Sequence, residues 1–122
     1  MNQLIRKNTE PLIYTPKTTH GITFLLFTAN WCEACKEIDA MFDEQSKQFK
    51  KTAYFDKINI DDEKSDYITI QYKIVKIPTI IIIVEGKIKN YINEHITQDL
   101  FHEIIEKQLK KNSQETSISI SQ

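Results

Sequence analysis

TANWCEACKEID, residues 28–39, contains both cysteines of the 122-residue chain, Cys32 and Cys35. Directly before it, ITFLLF (residues 22–27) is a continuous apolar run, typical of a strand buried on both faces in the centre of a parallel sheet. From Cys32 to about residue 50, apolar side chains recur at roughly helical spacing, and Glu, Lys, Asp and Gln occupy the positions between them. The two cysteines are therefore predicted to lie where a buried strand leads into a helix.

The chain beyond this helix contains three further strand patterns. They are residues 53–60, which alternate in polarity, the apolar run 78–84, and the return strand 87–93. Glu85 and Gly86 separate the last two strands and predict a hairpin turn.

Two further helices are predicted between and after these strands. The segment 61–74 spaces Tyr67, Ile70 and Ile74 for one helical face, in spite of its β-branched residues. Thr97 is the expected N-cap of the last helix. The apolar face of that helix is formed by Leu100, Phe101, Ile104, Ile105 and Leu109.

A short first strand at residues 11–14 (PLIY) gives the element order β, β, α, β, α, β, β, α. This order predicts an α/β fold with a mixed central sheet and helices on both faces. We expect one folded domain at residues 1–111, whose first residues, about ten, are flexible. The polar segment 112–122 is predicted to be a disordered tail.

Composition and charge exclude several classes of protein. The net charge of -1 gives no electrostatic reason to expect nucleic acid or acidic lipid as a partner. No apolar run approaches the roughly 18 residues that a membrane helix needs. The first residues show neither the apolar stretch nor the cleavage site of a signal peptide. The expected location is the cytoplasm, or the periplasm or an organelle if a leader has been removed.

The cysteine pair could bind a metal, form a structural crosslink or act in redox chemistry. A zinc site needs about four ligands, and this chain adds only His20, His95 and His102 to the two thiols. A dimer that shares four cysteines could still bind a metal or an iron–sulfur cluster, but no metal site is predicted. A structural disulfide between residues three apart closes a very short loop, and the entropic gain from a crosslink grows with loop length.

Redox chemistry agrees best with the predicted position of the pair. At a helix N-terminus, the macrodipole and the unpaired backbone N–H groups favour the thiolate of Cys32, so a lowered pKa makes Cys32 the expected nucleophile. Cys35 lies one helical turn further along and turns inward. From that position it can resolve a mixed disulfide on Cys32.

Three segments resemble the thioredoxin superfamily. WCEACK is similar to the WCxxCK signature of that family, and KINIDDEK and YKIVKIPTIIIIVEGK are similar to two later stretches of its pattern. The resemblance extends over about residues 22–109, and separated motifs in the right order are more specific than a lone CxxC. It implies a thioredoxin-like fold and a thiol–disulfide oxidoreductase that uses the Cys32/Cys35 dithiol.

The resemblance also implies a substrate-binding face beside the cysteines. In the family, the proline of the IPT motif is in the cis form and faces the disulfide, so we expect a cis Ile77–Pro78 bond. Ile77 would then present its backbone to an extended substrate strand by β-augmentation. Trp31 would pack against the rim of the site, offer a flat apolar wall to the substrate, or do both.

The chain departs from the family pattern close to the cysteines. Leu26 occupies the position of a buried aspartate that, in the family, assists proton transfer and pairs with a lysine. The matching Lys57 is present, and we expect it to reach solvent or to pair with another residue, such as Glu33 or Asp56. Glu33, Lys36 and Lys57 are the residues expected to modulate the dithiol.

The resemblance implies a protein disulfide reductase of cell redox homeostasis and electron transport. It would need no cofactor, take electrons from a thioredoxin reductase or an equivalent donor, and act as a monomer on disulfide-containing proteins. The alternative is a thioredoxin-fold scaffold or redox-responsive binding module with little turnover. Leu26 supports that alternative, and so does Glu94, which falls at about the position of a groove glycine of the family.

Overall fold

The computed structural model describes residues 14–16 and 21–121, with side chains described as far as residue 113. Four β-strands, three α-helices and one 3-10 turn follow one another in this part of the chain. In order, they are β1 (Ile22–Thr28), α1 (Glu33–Phe49), β2 (Tyr54–Asn59), the 3-10 turn (Glu63–Ser65), α2 (Asp66–Gln71), β3 (Thr79–Val84), β4 (Lys87–Ile92) and α3 (Gln98–Ser121).

The four described strands form one mixed sheet in the order β2-β1-β3-β4. β1 runs parallel to β2 and antiparallel to β3, and β4 returns antiparallel beside β3. β1 and β3 are buried along their whole length, as continuous apolar runs predict for central strands. The parallel β1–α1–β2 crossover places the start of α1 at the carboxyl end of β1.

Helices cover both faces of the sheet, which confirms the predicted fold class. On one face, Phe24 of β1 packs edge-on against Phe101 of α3, with ring centroids 5.9 Å apart. Side chains of α1, including Phe42, complete this layer of the core. On the other face, Phe27 packs with Ile68 and Tyr72, at and just after α2.

Glu85 and Gly86 form the predicted hairpin turn. Their φ angles are 51° and 82°, both in the left-handed region. A two-residue turn with two positive φ values matches the twist of the strands it joins, and a glycine adopts such a φ without steric cost. The position of the turn is therefore explained by Gly86.

Two apolar residues that were predicted to be buried are exposed. Leu100 is 45% exposed and Ile70 is 75% exposed. α2 has only six residues, and its buried apolar residue is Ile68. α3 packs on the core through Phe101 and Ile105, one turn apart, so Leu100 lies outside the contact stripe.

The predicted segments at the two ends of the chain have different outcomes. The predicted strand 11–14 lies outside the described residues except for Tyr14, which belongs to no strand. α3 continues to Ser121, through the segment predicted as a tail, and no proline or glycine interrupts it. The domain limits remain a prediction. In the described part of the chain, no helix combines the length and the apolar character that crossing a membrane requires.

Candidate functional site

Cys32 and Cys35 are joined by a disulfide at the N-terminus of α1, with their Cα atoms 5.2 Å apart. Cys32 is the N-cap residue, with an extended backbone at φ -83° and ψ 109°. The backbone N–H of Cys35 donates to Cys32 Sγ at 3.2 Å. The sulfur of Cys32 thus already accepts a hydrogen bond from the first turn of the helix, where a thiolate is favoured by the macrodipole.

The two sulfur-bearing residues differ in their access to solvent. Cys32 is 7% exposed, whereas Cys35 is fully buried. Ala29 packs with both cysteines, and Ile60 and Ile77 close the cluster from neighbouring elements. A partner can therefore approach Cys32, while Cys35 can act only from inside the protein.

The chain reaches the cysteines a second time through the segment before β3. The Ile77–Pro78 bond is cis, which confirms the prediction from the IPT motif. Ile77 packs directly on the Cys32–Cys35 cluster. Thr79 follows, and its hydroxyl donates to the carbonyl of Lys76 at 2.7 Å, so the side chain of Thr79 closes this turn.

An apolar groove of about 390 Å³ opens beside Cys32. Trp31 stands at its edge and is 66% exposed. The indole Nε1–H of Trp31 donates to Asp61 Oδ1 at 3.0 Å, which ties the ring to the loop after β2. Apolar side chains form most of the remaining wall, namely Ile60, Ile74, Val75 and Ile77.

The charged residues expected near the dithiol occupy two different environments. Glu33 and Lys36 pair with each other at 3.3 Å on the outer surface of α1, where their side chains are 88% and 66% exposed. Such a pair is screened by water and contributes little to stability. Both residues lie within one turn of Cys32.

Lys57 pairs with other residues than the two that the sequence analysis gave as examples. Lys57 Nζ lies 2.7 Å from Asp43 Oδ1 and 3.6 Å from Asp39 Oδ1, both on α1, and pairs with neither Glu33 nor Asp56. Asp56 instead accepts a hydrogen bond from the Tyr14 hydroxyl at 3.0 Å. Adjacent residues of a strand face opposite sides of the sheet, so Asp56 and Lys57 meet different layers.

Comparison with known proteins identifies the family. The profile of the family described as Thioredoxin matches residues 10–107. The chain belongs to the thioredoxin family. Family membership and the Cys32–Cys35 disulfide support thiol–disulfide oxidoreductase chemistry at the level of the family.

Individual thioredoxins align over most of the chain. A thioredoxin H-type of Fagopyrum esculentum is 33% identical over 78 residues, 64% of this chain and 65% of that protein. Thioredoxin H4 of Arabidopsis thaliana is 26% identical over 89 residues, 73% of each chain. The thioredoxin of Borreliella burgdorferi is 34% identical over 80 residues, 65% of this chain and 66% of that one. The chain thus spans roughly two thirds to three quarters of these relatives.

Solved structures of thioredoxins share the fold. A mutant thioredoxin from Halobacterium salinarum superposes with a TM-score of 0.63 at 19% identity, over 72% of this chain and 74% of that one. Thioredoxin-2 of the malaria parasite, described as a component of its protein secretion machinery, gives 0.64 at 23% identity, over 71% and 82% of the two chains. These likenesses support the fold alone.

Three polar residues near the thioredoxin cysteines were missed by the sequence interpretation. Asp61 holds Trp31, and the hydroxyl of Thr28 donates to Asp39 Oδ2 at 3.2 Å. The position of Asp39, four residues after Cys35 on one helix, was a usable signal because residues at i and i+4 share a face. Thr28 and Asp61 gave no comparable signal. The contact of Thr28 depends on how β1 packs against α1, and that of Asp61 depends on the path of the loop after β2.

Among the side chains that the structure describes, at residues 14–16 and 21–113, no group of three or more His, Cys, Asp or Glu is placed to hold a metal ion. In the disulfide form of the site, both sulfurs are bonded to each other.

Proposed function

We propose that this chain is a thiol–disulfide oxidoreductase that reduces disulfides in other proteins. The observation that carries the proposal is the contrast within one disulfide: Cys32 caps the helix and borders an open groove, whereas Cys35 is fully buried behind it. This contrast supports different roles for the two sulfurs.

Cys32 is the proposed nucleophile. In the reduced protein, its thiolate attacks one sulfur of a substrate disulfide, and the other substrate sulfur leaves as a thiolate that takes up a proton. The Cys35 N–H that contacts Cys32 Sγ at 3.2 Å is placed to stabilise the negative sulfur. Glu33 and Lys36, both near this end of α1, modulate that stabilisation in opposite directions.

Cys35 is the proposed resolving residue. It attacks Cys32 Sγ in the mixed disulfide, the Cys32–Cys35 bond forms, and the bond to the substrate sulfur breaks. Two electrons pass from the dithiol to the substrate. Since the dithiol carries them itself, the exchange needs no metal or organic cofactor.

Trp31, Ile77 and Pro78 form the proposed substrate-binding face. An extended substrate segment would lie in the groove beside Cys32 and hydrogen-bond to the backbone of Ile77. Pro78 offers no backbone N–H, so the neighbouring Ile77 is the residue that can pair with the strand. Trp31, held by Asp61, supplies a rigid apolar wall.

The proposal extends to partners and location by analogy with the family. A thioredoxin reductase or an equivalent donor would regenerate the dithiol, and the protein would act as a monomer in the cytoplasm. Neither nucleic acid nor membrane is a proposed partner. The folded unit is proposed to be residues 1–111, with 112–122 outside its core.

An insulin-reduction assay with dithiothreitol tests the proposal. The wild type is expected to accelerate insulin precipitation, and Cys32→Ser is expected to abolish the acceleration. Cys35→Ser that is reduced, freed of dithiothreitol and then mixed with insulin is expected to accumulate a mixed disulfide with the substrate, visible as a mass shift on a non-reducing gel. Equal behaviour of wild type and Cys32→Ser would leave the alternative, a scaffold or redox-responsive binding module.

The direction of electron flow needs a second measurement. Equilibration of the dithiol with glutathione buffers gives its reduction potential. For a reductant we expect about -270 mV, the general value for thioredoxin, whereas about -120 mV is typical of an oxidant such as DsbA.

A further inference from the structure

The resolving step requires a proton acceptor for Cys35. Cys35 has no exposed surface, and only the thiolate form of a cysteine is a nucleophile. Water from bulk solvent cannot reach the Cys35 thiol directly. A group inside the protein, close to the first turns of α1, must therefore take the proton when Cys35 attacks the mixed disulfide.

Asp39 is a carboxylate that helix α1 places on the same face as Cys35. It lies four residues after Cys35 in α1, and residues at i and i+4 share a face with Cβ atoms about 5–6 Å apart. Helical side chains point back towards the N-terminus, so the Asp39 carboxylate leans over the turn that carries Cys35.

The contacts of Asp39 leave one of its two carboxylate oxygens without a hydrogen bond. Thr28 Oγ1 donates to Oδ2 at 3.2 Å, which fixes the carboxylate between α1 and the end of β1. Oδ1 is buried and makes no hydrogen bond to any described residue. A buried acceptor without a donor costs free energy, and a proton or a bridging water removes that cost.

Lys57 lies at ion-pair distance from both Asp39 and Asp43. Lys57 Nζ lies 3.6 Å from Asp39 Oδ1 and 2.7 Å from Asp43 Oδ1. The lysine balances the charge of Asp39 when that carboxylate is ionised. Asp43 is one turn further from Cys35, and its side chain is 58% exposed. The two aspartates therefore share a cation but differ in their distance from the thiol.

We propose that Asp39 accepts the proton of Cys35 during the resolving step, an inference that rests on the proposed function. The Cys35 S–H bond breaks, and the proton passes to Asp39 Oδ1 directly or through one water. The Cys35 thiolate attacks Cys32 Sγ, and the substrate sulfur leaves as a thiolate. The proton on Asp39 then returns to that thiolate or to solvent, so the site is restored with the dithiol oxidised and the substrate reduced.

The reaction of the reduced protein with DTNB isolates this step. One equivalent of DTNB gives two phases of coloured thiolate release, of which the second is the attack of Cys35 on the Cys32 mixed disulfide. The released aromatic thiolate needs no proton near neutral pH, so the pH dependence of the second phase reports the loss of the Cys35 proton. Stopped-flow absorbance follows both phases from about pH 6 to about pH 9.

Asp39→Asn is expected to slow the second phase by about tenfold or more near pH 6. The deficit should shrink towards about pH 9, where hydroxide can deprotonate the thiol. The first phase should not change. Asp43→Asn is the matched control, because it removes the shorter contact of Lys57 and keeps Asp39, and its second phase should follow the wild type. Asp39→Glu keeps a carboxylate and should recover most of the rate near pH 6.

The possible outcomes distinguish a proton-accepting role of Asp39 from a purely structural one. They also distinguish a failure of this proposal from a failure of the proposed function. Equal second phases in Asp39→Asn and wild type overturn it, as does an equal defect in Asp43→Asn. If Asp39→Asn does not fold, Asp39→Ser takes its place, and a second phase near pH 6 as fast as that of the wild type overturns the proposal. If the wild type shows the two DTNB phases but fails to reduce insulin, the proposed function fails while the role of Asp39 stands.

Discussion

Leu26 and Lys57 are direct neighbours on the parallel strands β1 and β2, and the side chain of Leu26 is fully buried. Lys57 therefore finds no anion on the sheet itself. It reaches helix α1 instead, where Asp39 and Asp43 lie 3.6 Å and 2.7 Å from its ammonium group. The carboxylates that Lys57 contacts thus belong to the helix that carries the dithiol, and Lys57 ties that helix to β2.

Lys57→Met is expected to destabilise the protein by about 1–2 kcal/mol. The substitution removes the cation beside a carboxylate whose Oδ1 is buried, although partial exposure of both side chains reduces the cost. Lys36→Met is the matched control, because Lys36 pairs with Glu33 on the surface, and its cost should stay below about 0.5 kcal/mol. Urea unfolding of the oxidised proteins measures the free energy of unfolding of both variants. Equal losses would contradict a structural role for the ion pairs of Lys57 with Asp39 and Asp43.

The partners of Lys57 show what the sequence could and could not predict at the site. The strand–helix transition and Cys32 at the helix start were predicted because each is encoded within a few adjacent residues. The cis bond before Pro78 was predicted from the resemblance to the thioredoxin family and not from local sequence. The contacts of Lys57 depend on the rotation of α1 over β2, which no local pattern contains. The N-terminal strand prediction lies mostly outside the described residues.

Asp61→Ala is expected to raise the KM for protein substrates severalfold while changing the DTNB reaction little. Asp61 holds the exposed indole of Trp31, and under the proposed function this indole would contact a protein substrate, whereas a small disulfide would not need that contact. Insulin reduction at varied insulin concentration gives the KM. The control is Asp62→Ala, which removes a neighbouring carboxylate that caps the 3-10 turn and leaves Trp31 alone. A KM change of the same size in Asp62→Ala would mean that loop charge matters, and not the position of Trp31.

Phe101→Ala is expected to cost about 3–5 kcal/mol of unfolding free energy. Phe101 is fully buried between Phe24 and Phe42, with ring centroids at 5.9 Å and 6.1 Å. Leu100→Ala, one residue earlier in α3, removes an exposed side chain and should cost less than about 1 kcal/mol. Chemical unfolding of the two variants compares them directly, and a comparable loss in Leu100→Ala would restore the original prediction that Leu100 is buried.

The contrast between Leu100 and Phe101 also explains why apolar pattern alone overestimated the core. Five apolar residues in α3 were assigned to one face, but a helix that packs on a sheet along one stripe buries fewer positions. Ile70 was misassigned for a related reason, since α2 ends at Gln71 and buries Ile68. Element type followed from local sequence, whereas the exact rotation of each helix did not.

Tyr14 connects β2 with the end of α2, and its pKa is raised in the folded protein. Its hydroxyl donates to Asp56 on β2, and its backbone exchanges two hydrogen bonds with the Gln71 side chain at the end of α2. Burial raises the pKa of Tyr14 above its ordinary value of 10.0, and the charge and hydrogen bond of Asp56 raise it further. The folded state therefore holds the phenol proton more tightly than the unfolded state does.

Alkaline unfolding is expected to depend on Tyr14. Because the folded pKa is raised, the stabilisation is fully present below about pH 10 and is lost as the pH rises from there towards the folded pKa. Tyr14→Phe should cost about 1 kcal/mol near pH 7, where the hydrogen bond to Asp56 is lost. Above about pH 10, its deficit relative to wild type should shrink, by at most about 1.4 kcal/mol for each pH unit.

Urea unfolding at several alkaline pH values checks this dependence. Burial also raises the pKa of Tyr72, with a further contribution from Tyr91, but both tyrosines are present in both proteins and cancel in the comparison. Tyr54→Phe is the matched control, since Tyr54 is an exposed tyrosine of β2 at 46% exposure. Comparison of the two variants isolates the contribution of the Tyr14 site. A Tyr14→Phe deficit that stays constant above about pH 10 would mean that the Tyr14–Asp56 contact does not hold the proton in the folded protein.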